Sequence, residues 1–301
     1  MTLKQLTTFF WVCRLGGFAA AAARLNSTQS TVSMRIQELE ASLGVLLIDR
    51  SPRSVRPTPK GTELLADVER LLTLAAEIEK RVADPQILSG TVRLGVSELV
   101  AVTWLSDLIA ETGRRYPKVV FEPVVDLSQA QLRKVLGGEL DIALIPGPAS
   151  GLTNVPLGTV DFAWMASPKL GLGGRPLSAA DLSAFPMLGL PQQSKLHGFV
   201  RQWFEASGVA VPPSRFCNST NVVAVLTAAG LGTSYLPGGS LTDKLVADGS
   251  LEILETSPPF PPFGYYAVFD ARSPLPLAPV IADLAGRLST FRKTEPAVAA
   301  P

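Results

Sequence analysis

Apolar residues recur at helical spacing through the first 43 positions of the chain. Leu3, Leu6, Phe9, Phe10 and Cys13 fall on one helical face, and Gly16-Gly17 ends that run. FAAAAARL (18–25) is alanine-rich. Alanine has the highest helix propensity, and its small side chain lets another helix approach closely. After a short Asn26-Ser27 turn, Val32, Ile36, Leu39 and Leu43 follow at spacings of 4, 3 and 4. They predict the buried stripe of a third helix, which Thr28 is placed to cap. Gln29, Ser30, Ser33 and Arg35 lie away from that stripe, with Thr31 beside it. LLIDRSPRSVRPTPKG (46–61) reads as strand, tight turn at Ser51-Pro52, and strand. Thr58 and Pro59 then open another helix. Its Leu64, Val68, Leu71, Ala75, Ile78 and Val82 repeat with the period of a coiled-coil seam, about 3.5 residues. A helix of this length is long for packing only on its own head, so pairing with a second copy is the expectation.

The pattern changes after DPQILSG (84–90), the expected domain boundary. TVRLGVS (91–97), VVFEPVV (119–125) and LDIALIP (140–146) read as strands, alternating with helices at 101–115 and 128–137. The second half repeats this with PMLGL (186–190), SRFCNS (214–219) and GTSYLP (232–237), around helices at 196–206 and 220–229. Such alternation predicts an α/β fold with a mostly parallel sheet covered on both faces. Two series predict two lobes with a cleft between them. DFAWMAS (161–167) carries the chain into the second lobe, YYAVFD (265–270) carries it back, and a helix at 277–292 closes the first. The expected domains are 1–58, 59–88 and 89–301. Within the last, lobe one covers about 91–161 and 267–293, and lobe two about 162–266.

Composition adds that the chain is globular: 47% of its residues are hydrophobic and 18% charged. The net charge of +1 is uninformative, but its distribution is not. Residues 1–60 carry Lys4, Arg14, Arg24, Arg35, Arg50, Arg53, Arg56 and Lys60 against Glu38, Glu40 and Asp49, so the head is +5 and the remainder −4. A basic head on a mildly acidic body suits a polyanionic partner. Short polar side chains on an exposed first turn can approach base edges, and glutamine can pair bidentately with adenine. Arg50, Arg53 and Arg56 on a hairpin beside that helix suit phosphates or the minor groove. No stretch of about 18 apolar residues is present, and MTLKQLTTFFWVC lacks a signal-peptide core. A soluble cytoplasmic protein with no membrane partner is expected.

The head resembles the winged helix-turn-helix of LysR-type transcriptional regulators. Phe18, Ala22-Ala23, Leu25, Thr28-Gln29-Ser30, Val32-Ser33, Ile36, Leu39-Glu40, Leu43-Gly44, Arg50, Arg53, Thr58 and Gly61 carry the likeness. Gly17, Ala19 and Ala20 depart from the polar residues that the family often has there, and Met34 replaces a frequent arginine. The family's base preference therefore does not carry over. LTAAGLGTSYLP (226–237) resembles a segment of the family's two-lobed effector domain, which is periplasmic-binding-protein-like. The resemblance implies DNA contacts from Thr28, Gln29, Ser30, Ser33, Arg35, Arg50 and Arg53. It also implies a small organic effector, a homodimer or homotetramer on a partly palindromic double-stranded site, and contact with RNA polymerase.

In open α/β sheets, ligands sit outside the carboxyl ends of strands. Here those ends are Ser97-Glu98, Pro146-Gly147, Gln193-Ser194, Ser219-Thr220 and Leu236-Pro237. Ser97, Ser194 and Thr220 can equally serve as helix caps. Glu98 at such a mouth would repel an anionic effector, so it points away or the ligand is neutral or carries a donor. His197, the lone histidine, reads first as a packed or solvent-facing residue. One histidine and two distant cysteines, Cys13 and Cys217, provide no usual metal or thiol site. Neither a G-x-S-x-G elbow nor a phosphate-binding loop is present. No cofactor, metal or catalytic residue is expected. Two other uses of the cleft make different predictions. A periplasmic-type solute carrier would have an export signal and no basic head, and an enzyme would turn over substrate with its isolated body.

Overall fold

A capping box starts the first helix, α1 (Leu3–Leu15): Gln5 N–H donates to Thr2 Oγ1 and Thr2 N–H donates to Gln5 Oε1. Gly16 ends it in the left-handed conformation. The computed structural model describes residues 1–51, 54–82, 88–273 and 277–292. α2 (Phe18–Arg24) and α3 (Gln29–Leu43) follow, and Ala21 and Ala22 are buried where they pack. Phe9, Phe10, Val32, Ile36 and Leu39 form the centre of this core. Two expected core positions are exposed, Leu3 and Leu43. The last turn of α3 instead buries Glu40, whose carboxylate accepts the N–H groups of Leu47 (2.9 Å) and Ile48 (3.1 Å). This ties α3 to β1 (Ile48–Ser51), which pairs antiparallel with β2 (Ser54–Pro57). The turn between them, with Pro52 and Arg53, lies outside the described residues.

Thr58 caps α4 (Pro59–Val82) by accepting the Gly61 N–H at 3.0 Å. A Cβ on Gly61 would collide with the carbonyl of Leu47, so glycine permits the close approach of helix and wing. The apolar repeat on α4 divides into two faces. Val68 and Leu72 are buried in the head's own core with Leu64 against them. Leu71, Leu74 and Ile78 are 42%, 52% and 47% exposed.

Lobe one contains β3 (Ser89–Val96), α5 (Glu98–Thr103), α6 (Leu105–Arg115), β4 (Lys118–Val125), α7 (Ser128–Gly137), β5 (Ile142–Pro146) and β6 (Thr153–Val160). Lobe two contains β7 (Phe162–Ala166), α8 (Ala179–Ser183), β8 (Met187–Gly189), α9 (Lys195–Ala206), β9 (Ser214–Phe216), α10 (Thr220–Ala228), β10 (Thr233–Pro237), α11 (Ser240–Ala247) and β11 (Glu252–Leu254). β12 (Phe263–Phe269) and α12 (Leu277–Leu288) return to lobe one. The helix expected at 101–115 is two helices, broken at the fully buried Trp104.

Both sheets are mostly parallel, as expected, with four of five strands running one way and a single reversed strand in each. Lobe one has the order β4-β3-β5-β12-β6, with β3 parallel to β4 and β5 and β12 antiparallel to β5 and β6. Lobe two has the order β11-β7-β10-β8-β9, with β8 parallel to β9 and β10 and β7 antiparallel to β10 and β11. The parallel strands are those joined by crossover helices. β7 and β12 are the strands on which the chain arrives from the other lobe, and they run against their neighbours.

The head rests on lobe one. Both Nη atoms of Arg24 donate to the carboxylate of Asp141, and Asp141 also accepts the Arg93 N–H at 2.8 Å. Both side chains of this ion pair are buried, at 4% and 2% exposure. Burial lowers the Arg24 pKa, and Asp141 acts against that shift. The Arg24 guanidinium lies 4.4 Å from the ring centroid of Trp11. Trp11 in turn packs so closely on Gly138 that a Cβ there would collide with its ring. Arg14 pairs with Asp270, which Arg272 also grips.

Candidate functional site

Two features stand apart from ordinary packing: the outward face of α3 and the space between the lobes. On α3, Gln29 and Ser30 are exposed in the first turn, and Ser33 and Arg35 are half-buried at its flanks. The Thr28 hydroxyl is committed to the helix start. It accepts from Thr31 N–H at 3.2 Å and shares hydrogen bonds with the hydroxyls of Ser30 (2.9 Å) and Thr31 (2.8 Å). Met34 and Gln37 continue the exposed line from Ser30, at the i+4 and i+7 positions of one helical face. Gln37 is not among the expected contacts, although its spacing from Ser30 places it on the same exposed face. On the wing, Arg56 is exposed and stands opposite Asp49. The backbone of Arg50 lies in β1.

The second feature is a cavity of about 260 Å³ between the lobes. Lobe one lines it with Ser97, Glu98 and Leu99 at the start of α5, with Val125 to Ser128 where β4 passes into α7, and with Pro146 and Tyr265. Lobe two supplies Leu190, Ser194, Leu196, Asn218, Ser219, Thr220 and Pro237, with Phe162 where the chain crosses. Ser97, Ser194 and Ser219 cap α5, α9 and α10 through their hydroxyls while facing this space. Tyr265 is buried at the cavity with Ser97, and burial pushes its phenol pKa up.

Three expected positions do not line the cavity. Leu236 faces the other side of its sheet, packed with Met165, Leu188 and Val223, because successive strand residues alternate faces. Gly147 and Gln193 contribute their carbonyls to contacts between the lobes instead. Gly147 O accepts from Lys195 Nζ at 3.1 Å, and Pro148 O accepts from the same ammonium. Gln193 O accepts the Gln129 N–H at 3.1 Å, beside Gln192 O and Gln129 Nε2 at 3.2 Å. Burial pushes the Lys195 pKa down to about 8.

Glu98 does not point away. It crosses from lobe one to the start of α10, where Oε1 accepts from the Ser219 hydroxyl at 2.8 Å and Oε2 from the Thr220 N–H at 2.5 Å. Asp126 accepts from Leu127 N–H and from Lys134 Nζ (2.9 Å). Burial opposes the Asp126 charge, but these donors outweigh it and hold the carboxyl below its ordinary pKa. His197 stands outside the cavity lining, edge-on to Phe216. Among the described residues no cluster of three His, Cys, Asp or Glu side chains could hold a metal, and no helix is long and apolar enough to cross a membrane.

Comparison with known proteins covers both features. Residues 3–62 match the family profile "Bacterial regulatory helix-turn-helix protein, lysR family", and residues 85–288 match "LysR substrate binding domain". The regulator CzcR of Bacillus subtilis is 29% identical over 241 residues, covering 79% of this chain and 80% of that protein. A probable hydrogen peroxide-inducible genes activator of Mycobacterium xenopi is 37% identical over 161 residues, 52% of this chain and 84% of its own length. Among solved structures, a full-length OxyR variant of Pseudomonas aeruginosa matches with a TM-score of 0.70 at 23% identity, over 98% of this chain and 99% of that one. Full-length CbnR in complex with its target DNA matches with a TM-score of 0.52 at 22% identity, over 96% of this chain and all of that one. At these identities the two structures speak for the fold alone.

Proposed function

The chain belongs to the LysR family of bacterial transcriptional regulators, and from that premise we propose that α3 reads operator DNA, α4 pairs two copies, and the inter-lobe cavity holds a small organic effector. The family is one of DNA-binding, effector-controlled regulators and not of enzymes. The observation that carries the division of labour is the cavity itself. It lies between lobes held by Glu98 from one side and Lys195 from the other. A ligand filling it changes the relation of the lobes, and the Arg24–Asp141 contact passes any movement of lobe one to the head. Such coupling requires different ligand affinities in the two arrangements. The working unit in this reading is a homodimer or tetramer in the cytoplasm, whose operator-bound form meets RNA polymerase.

Selection of duplexes from a random library by the full chain, followed by titration with and without ligands found by thermal-shift screening, tests the proposal. Thr220→Trp, which fills the cavity, is expected to leave ligand-free operator binding intact and abolish the ligand response. A response that persists in this variant moves the effector elsewhere.

Gln29→Ala is expected to reduce discrimination between operator and random duplex by about 1–3 kcal/mol if Gln29 pairs bidentately with a base. Arg53→Ala is expected to weaken binding to both duplexes and to flatten the salt slope by about one. Equal operator affinity in wild type and both variants would refute the assignment of the DNA-reading face.

A further inference from the structure

We propose that the cavity takes a small organic cation, an amine or amidine on an apolar body, and turns carboxylates away. The inference rests on the cavity being the effector site and names the chemistry of its ligand. Glu98 and Asp126 are the only charged side chains among the described residues that line the space. The cations nearby already have partners. Lys134 pairs with Asp126, and Lys195 is held by the carbonyls of Gly147 and Pro148. No described lysine or arginine lies within ion-pair distance of Glu98.

The seat that an acidic ligand would take is already filled. The Glu98 carboxylate holds the Ser219 hydroxyl and the Thr220 N–H, so the start of α10 has its anion from within the chain. An acidic effector would have to expel Glu98 from those donors and then stand as a third carboxylate in about 260 Å³. Like charges in one site repel, and the groups that could offset them, Lys134 and the start of α10, are already engaged by Asp126 and Glu98. A cation meets the opposite situation. Each carboxylate oxygen can accept a second hydrogen bond, so Glu98 receives an ammonium or amidinium without leaving α10. Leu99, Leu127, Leu190, Leu196 and Phe162 then receive the apolar body. The bound cation would face a carboxylate that already joins lobe one to lobe two, which places ligand recognition on the contact between them.

The test uses the full chain and matched probes: benzylamine, 2-phenylethylamine, n-butylamine and benzamidine, with the carboxylates and alcohols that share their carbon skeletons. Calorimetric titration is expected to give amines and amidine at least tenfold tighter binding than either counterpart. Glu98→Gln keeps an acceptor for the start of α10 and removes the charge. It is expected to bring the amines to the level of the alcohols, in a ligand-free protein that still melts cooperatively. Tighter binding of carboxylates than amines in the wild type, amine affinity unmoved in Glu98→Gln, or no binding by any amine overturns the proposal. The parent reading fails by a different result. Carboxylate binding that is lost in Thr220→Trp removes the cation but leaves the cavity as the effector site, whereas binding of any class that survives Thr220→Trp removes the cavity.

Discussion

Asp141→Ala is expected to free the head from lobe one without unfolding either. In the wild type the Arg24 guanidinium lies out of water, over Trp11, with both its Nη atoms on Asp141. Removing one partner of a buried pair leaves an uncompensated charge, at a cost of about 3–5 kcal/mol. Arg24 cannot escape that cost by losing its proton, because a guanidinium stays charged in proteins. It can escape by leaving: if the head swings off lobe one, Arg24 reaches water. The observable loss is then capped by the docking energy, and it shows as a change of shape. Small-angle scattering should record a larger radius of gyration, and the head and body should melt in separate transitions.

Arg24→Ala should be milder, because Asp141 keeps the Arg93 N–H as a donor. The double variant should cost less than the two single ones summed, the mark of direct coupling. Scattering and melting identical to the wild type in Asp141→Ala would show that the pair does not hold the head.

This contact also explains why part of the molecule is illegible in its sequence. Arg14 and Arg24 count by position with the basic head, as charge available to a polyanion. In the structure they face Asp270 and Asp141, which lie 256 and 117 residues away. Nothing local distinguishes an arginine that meets phosphate from one that meets a distant carboxylate. The helices of the head are legible because their signals are local: a cap at Thr28 and a stripe at Val32, Ile36 and Leu39. The periodic stripe runs one turn too far, to Leu43, because periodicity does not reveal that Glu40 is buried by the demands of the Leu47 and Ile48 N–H groups.

The cavity is legible where parallel strands end. Ser97, Glu98, Pro146, Ser194, Ser219, Thr220 and Pro237 line it. Asp126 follows directly on VVFEPVV and obeys the same rule, so it is within reach of the sequence. Tyr265 is not. It stands near the beginning of β12, and because β12 runs antiparallel to β5, its start rather than its end lies at the mouth.

Leu74→Lys together with Ile78→Lys is expected to dissolve the pairing of two chains and lower operator affinity by about 100- to 10,000-fold. That range is what is lost when two linked binding events become independent. Leu71, Leu74 and Ile78 are spaced 3 and 4 apart on α4, the rhythm of a two-helix seam, and a single chain leaves all three exposed. The other face of α4, with Val68 and Leu72, is already used by the head. The two substitutions therefore fall on the face that a second copy would cover, where Leu74 also borders Arg272. In the lone chain they are surface changes, within about 0.5 kcal/mol of neutral. In a pair they bring like charges together across the seam. Sedimentation should show a monomer with an unchanged melting temperature for the body, and a duplex carrying a single half-site should bind as tightly as before. The loss should be confined to the two-half-site operator, where one head no longer holds the other in place. A variant that stays dimeric at the same concentration, or that binds the full operator undiminished, would assign the exposed face of α4 to something other than pairing.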